Sequence, residues 1–251
     1  MVAQGRSIAL EAGIAYTTIN GVNVAVDKII NIYVNGRHYT SLVGSPVNLE
    51  EIGLGIAVSD LLVDDIRLVK VKTDGENVFL DVGKAESPST RRAFIEDCSI
   101  LSVKESSKVN GVVMDWSRIL EAIKDFSNRT ASRALGVAAH SIGLYDESAQ
   151  PLLVAHDTSR HTAALKLIGI IVKHGIKTSN TMVITTGRAS SDIVVRLGMA
   201  GVPVIVTLRG PLDSGVKAAL KMGITLIANS RIRGAGRKFV VLTHGYRVRN
   251  T

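Results

Sequence analysis

From residue 152 onward the chain alternates short apolar, β-branched runs with helix-length segments, and this rhythm constrains the fold more than any other feature. The runs PLLVAHD, TMVITTG, VPVIVTL, ITLIAN and KFVVLTH are too short for helices, and between the first four the spacing predicts helices at 162–174, 191–200 and 213–222. Apolar strands alternating with helices predict an α/β layer whose strands are buried on both faces and mostly parallel.

The N-terminal part reads differently. Its first ~45 residues suggest strands: Ile30, Ile32 and Val34 alternate with polar neighbours, and Asn35-Gly36 supplies the positive φ of a tight hairpin. Asn48 is placed to N-cap a helix with Glu51 completing a capping box, which would turn Leu49, Ile52, Ile56 and Leu61 to the core. Gly53 and Gly55 weaken that helix and are tolerable only where something packs closely against it. A second hairpin is expected to turn at Asp74-Gly75, and the polar stretch 84–92 marks a boundary. The expected organisation is a β-rich region with one helix at 1–90, followed by an α/β domain at 91–251 that carries the lone cysteine near its start. Within that domain Trp116, Ile119, Leu120, Ile123 and Phe126 fall on one face of a helix over about 115–127.

Composition narrows the function. With 46% apolar and 21% charged residues in 251, the chain is neither disordered nor fibrous. Its single cysteine, Cys98, excludes an internal disulfide, so a reducing, cytoplasmic setting is expected. No run of about 18 uncharged apolar residues would span a bilayer, and Glu11 interrupts any signal-peptide reading of the start. The charge is divided unevenly: residues 1–125 hold 13 Lys and Arg against 17 Asp and Glu, whereas 126–251 hold 17 against 5. A half this basic is suited to an anionic ligand or partner.

Open α/β sheets bind ligands beyond the carboxyl ends of their strands. Asp157, Arg160 and His161 follow the first run, and Gly187, Arg188, Ala189, Ser190 and Ser191 follow the second. Arg209 and Gly210 follow the third, and Asn229, Ser230, Arg231, Arg233, Gly234, Gly236 and Arg237 follow the fourth. Guanidinium forks, hydroxyls at a helix start and glycines that admit close approach suit a phosphate-bearing ligand. The signatures of nucleotide hydrolysis, dinucleotide redox chemistry and serine hydrolysis are missing, and His156 and His161, five apart, are not spaced as zinc ligands.

Several of these segments carry a resemblance. TGRASSDIVVRLGMAGVPVIV and DTSRHTAALKLIG resemble the Gly-Arg-Ala-Ser-Ser and Arg-His segments of the formate dehydrogenase accessory sulfurtransferases, the FdhD/NarQ family. IYVNGRHYTSLVGSPVNLEEIGLGIAVSDLL, AAHSIGLYD with His140, and ITLIANSRIRGAGR are similar to further segments of that family in the same order, over roughly 27–243.

The resemblance implies a cytidine-deaminase-like α/β domain with a β-rich N-terminal part, in a cytosolic homodimer. It implies a sulfur carrier that takes sulfur from a cysteine desulfurase as a Cys98 persulfide and passes it to molybdenum-bis(molybdopterin guanine dinucleotide) before that cofactor enters formate dehydrogenase. Cofactor-binding residues would be Ala228, Asn229, Ser230, Arg231, Ile232, Arg233, Gly187, Arg188, Ser190, Ser191, Asp157, Arg160, His161 and His140, with no metal held by the protein itself. The family's Cys-Gly-x-Cys loop is matched here by Cys98-Ser99-Ile100-Leu101, so the second cysteine is absent. DTS stands before Arg160 in place of Asp-Val-Gly, and His156 replaces a glutamate. One cysteine is enough to hold a persulfide, while a chaperone that binds the guanine-nucleotide cofactor without transferring sulfur is the alternative. A nucleic-acid binder is the weaker third reading, because the basic half offers few aromatics for base stacking.

Overall fold

The computed structural model describes residues 9–63, 66–83, 109, 111–232 and 236–250. Its strands and helices are β1 (Leu10–Ala12), β2 (Tyr16–Ile19), β3 (Val22–Ala25), β4 (Lys28–Val34), β5 (Arg37–Gly44), α1 (Leu49–Ser59), β6 (Lys70–Asp74), β7 (Asn77–Asp81), β8 (Met114–Asp115), α2 (Trp116–Arg129) and α3 (Ala131–Ala134). They continue as β9 (His140–Asp146), β10 (Pro151–Asp157), α4 (Arg160–Lys173), β11 (Thr181–Thr185), α5 (Ser191–Met199), β12 (Val204–Thr207), α6 (Asp213–Met222), β13 (Thr225–Ile232), β14 (Gly236–Val241) and β15 (Val248–Arg249). Cys98 and the expected boundary at 84–92 lie outside the described residues.

A seven-stranded sheet in the order β1-β10-β9-β11-β12-β13-β14 is the centre of the molecule. The expected rhythm holds, and β1, β10, β11, β12 and β13 run in one direction. The sheet is nevertheless mixed, because β9 lies antiparallel between β10 and β11 and β14 returns antiparallel beside β13. Alternate side chains serve opposite faces: Val183, Ile205 and Leu226 join a core with α4, α5 and α6, while Met182, Ile184, Val206 and Ile227 meet α2. Strands buried on both faces carry continuous apolar runs for this reason.

A smaller sheet, β5-β4-β7-β6, covers α1, whose other side lies on α4. The glycines explain how closely the helices approach: a Cβ on Gly55 would strike the Leu165 carbonyl, and one on Gly169 would strike that of Glu51. Gly53 faces the small sheet, where a Cβ would stand 2.8 and 2.9 Å from the Val78 and Leu80 side chains. The N-terminal region also reaches across the molecule, since β1 pairs in parallel with β10 as an edge of the large sheet.

Some local expectations are corrected. Asn48 does precede α1 but in the left-handed region, φ 56°, and makes no side-chain cap bond, because capping geometry needs an extended residue. Glu51 pairs with Lys173 of α4 at 2.9 Å rather than closing a capping box. The helix stops at Ser59, so Leu61 is exposed, as is Leu120 at the edge of the apolar face of α2. The Asn35-Gly36 hairpin forms as expected, with both residues at positive φ. The second turns one residue later than expected, at Gly75-Glu76, because Asp74 still pairs with Asn77.

Candidate functional site

Because β10, β11, β12 and β13 run the same way, their carboxyl ends share one rim, and β9 begins there with His140 opposite Asp157. Arg160 and His161 open α4 rather than lying in the loop before it, since helix geometry begins directly after Ser159. The Arg160 Cβ packs where a side chain on Gly187 would stand, so only glycine lets the loop after β11 touch the start of α4. Thr207 donates its hydroxyl to the Gly187 carbonyl at 2.7 Å and accepts the Arg209 amide at 3.1 Å; Thr185 accepts the Gly187 amide at 3.0 Å. These threonines, absent from the sequence reading, shape the rim. Their signal is the recurrence of Thr at the last strand position of both β11 and β12.

The rim is electropositive. Burial, with Arg160 and Arg209 nearby, pushes His140 below the ordinary histidine range, while Asp157 works the other way. Arg188 and Arg209 are exposed. Ser190 is the N-cap of α5 and Ser191 its first helical residue, both buried. Three buried side-chain atoms here have no hydrogen-bond partner: Arg160 Nε, Ser190 Oγ and Ser230 Oγ. Among the described residues the only other such atom is Nε of Arg247.

Two expectations change. Asp157 faces inward, fully buried, accepting the Ser45 amide at 3.2 Å and the Ser159 amide at 3.0 Å and pairing with Lys166 at 2.8 Å. Its carboxylate is committed to the fold rather than offered to a ligand. The segment from Asn229 is not a loop: β13 continues through Ile232 and pairs with β14, placing Asn229 opposite Phe239, Ser230 opposite Lys238 and Arg231 opposite Arg237. Ala228 is the last residue of β13 paired to β12 and is fully buried, whereas Arg231 and Ile232 are exposed on a two-stranded ribbon beyond it. Arg233 lies outside the described residues. Opposed arginines repel, so the Arg231–Arg237 pair costs stability unless an anion lies between or near them.

The pattern of the FdhD/NarQ family matches residues 25–249, which takes in both sheets, the rim and the ribbon. The chain belongs to the FdhD/NarQ family. Two curated relatives called sulfur carrier protein FdhD illustrate the similarity. That of Bordetella parapertussis is 23% identical over 238 residues, covering 88% of this chain and 86% of the relative, and that of Xanthomonas oryzae pv. oryzae is 25% identical over 226 residues, covering 83% and 80%. In fold, a formate dehydrogenase accessory protein from Desulfotalea psychrophila matches with a TM-score of 0.70 at 20% identity, over 94% of this chain and 97% of that one. Among the described residues, no helix is long and apolar enough to cross a membrane.

Proposed function

We propose that this chain is the sulfur carrier of formate dehydrogenase maturation, binding the phosphate-bearing end of the molybdenum cofactor at the rim. The observation that carries this reading is the set of unpartnered buried atoms, Arg160 Nε, Ser190 Oγ and Ser230 Oγ, at the strand ends where Arg188 and Arg209 are exposed. A buried polar group without a partner costs about 1–3 kcal/mol, and an anion with several oxygens would satisfy such groups together. Guanine dinucleotide ends of the cofactor have that chemistry; the names of the curated relatives support sulfur carriage, and that of the structural neighbour supports a part in formate dehydrogenase maturation. The large sheet and its helices are read as a cytidine-deaminase-like layer, functioning as a homodimer in the cytoplasm. In this scheme Cys98 accepts sulfur from a cysteine desulfurase and carries it as a persulfide to the bound cofactor.

The test uses GDP as the probe. Calorimetry should show GDP binding well above that of guanosine, and Arg188→Lys should weaken it without lowering the melting temperature, because lysine lacks the bidentate fork. Equal affinity for GDP and guanosine would remove the phosphate argument. Cys98→Ala should bind GDP normally yet fail to restore formate dehydrogenase activity in cells lacking their own accessory protein. Full restoration would instead favour a cofactor chaperone, the reading to which Leu101 at the family's second cysteine position lends weight.

A further inference from the structure

A chain of charges, buried at Asp60 and Arg196, leads from the end of α1 to the rim. On β5, Tyr39 donates its hydroxyl to Asp60 Oδ2 at 3.0 Å, just beyond the end of α1. Arg196 of α5 donates Nη1 to Asp60 Oδ1 at 2.7 Å and to the Ser59 hydroxyl at 2.6 Å. Its Nε lies 2.9 and 3.0 Å from the two oxygens of Asp192, one helical turn earlier. Asp192 Oδ2 in turn stands 3.7 Å from Nε2 of His161, an ion-pair separation rather than a hydrogen bond. Side-chain exposure rises along the chain from 2% at Asp60 and 4% at Arg196 to 14% at Asp192 and 27% at His161. Its most exposed member, His161, lies in the first turn of α4, next to Arg160.

Burying a carboxylate and a guanidinium is a poor way to gain stability, since an apolar cluster of the same volume does as well or better. What such a chain supplies is geometry. Arg196 holds Asp192 through both oxygens, and a carboxylate fixed in this way gives the neighbouring imidazole a fixed point. We propose that Asp192 is a positioning residue that acts through His161, holding its ring in place at the rim for an anionic ligand. Arg196 and Asp60 in turn hold Asp192. The proposal deepens the reading of the rim as a phosphate-binding site and rests on it for the ligand, but the positioning itself can be measured without ligand.

The experiment is a double-mutant cycle read by GDP calorimetry, with Arg160→Ala as a control for the site. His161→Ala and Asp192→Asn should each weaken GDP by about tenfold, the worth of one charge-assisted hydrogen bond. In the His161→Ala background, Asp192→Asn should have no further effect, because its influence passes through the absent ring. Arg196 keeps Asp60 as a counter-ion in Asp192→Asn, which favours a folded variant; Asp192→Glu, which retains charge but moves it, serves as the second variant and should also weaken GDP. The ring nitrogens of His161, followed by NMR in ligand-free, histidine-labelled protein, should shift in Asp192→Asn. An equal loss from Asp192→Asn with and without His161, or a normal GDP affinity in His161→Ala while Arg160→Ala loses binding, would overturn the positioning role and leave the site standing. Should Arg160→Ala and the wild type bind GDP alike, or the wild type not bind it, the site reading fails. The ring nitrogens then decide the positioning role, and unmoved resonances in Asp192→Asn overturn it.

Discussion

Ser190 shows how a residue can be ill served in the free protein and still belong where it is. Its buried hydroxyl neither caps α5 nor meets any partner, so removing it deletes an unsatisfied group. Ser190→Ala should therefore melt at or slightly above the wild-type temperature in the absence of ligand and bind GDP more weakly; a clear loss of stability without ligand would show that the hydroxyl is already satisfied. Asp60 offers a second test. Desolvation outweighs the attraction of Arg196, and with Asp192 adding repulsion its carboxyl is raised from 3.8 to about 6. Between those values the folded chain holds a proton that the unfolded chain has released, so the contribution of Asp60 to stability declines as pH rises through that window. The melting temperature of the wild type relative to Asp60→Asn should fall from about pH 4 to pH 6 and level off above; a difference independent of pH would contradict the raised value. At this scale the sequence shows which side chains stand at strand ends, but not which are already engaged. Asp157 stands at the carboxyl end of β10, yet Ser45, which claims its carboxylate, is 112 residues away, and no local pattern reveals that.

Among elements, the crossing of α1 on α4 depends on the absence of side chains. Gly169→Ala would drive a methyl group into the Glu51 carbonyl, and Gly55→Ala would do the same against Leu165, so one helix must move and drag the small sheet with it. Overpacking of this kind costs about 1–3 kcal/mol or more, and each variant should melt several degrees lower or fail to fold, while alanine at exposed Gly13, where nothing lies within 4 Å, should be nearly silent. Equal melting temperatures for all of them would refute the close crossing. Helix-breaking glycines inside an otherwise helical segment, Gly53 and Gly55, make this close packing legible in the sequence. The insertion of β9 between β10 and β11 gave no such warning, because an apolar run buried on both faces reads alike whichever way its neighbours point. The ribbon was missed for a related reason: Asn229, Ser230 and Arg231 have turn-like, polar character, and only the cross-strand partners in β14 keep them extended.

For the molecule as a whole, the uneven distribution of charge becomes a shape. The basic half carries the rim, so GDP affinity should fall steadily with added salt, and a flat response would mean that the phosphates are not what the rim recognises. The alternating rhythm made the central layer legible, but the place of the first strand was beyond any local reading. β1 lies at 10–12 and its ladder partner among the described residues, β10, at 151–157, with the register joining Leu10 to Leu153. On the ribosome, then, β1 waits until β10 has been made before it has an edge to join, and pairings so distant in sequence form slowly. β1 acts as a clasp fastened late in biosynthesis, so a nascent chain stalled before β10 would present β1 to chaperones rather than to its own sheet.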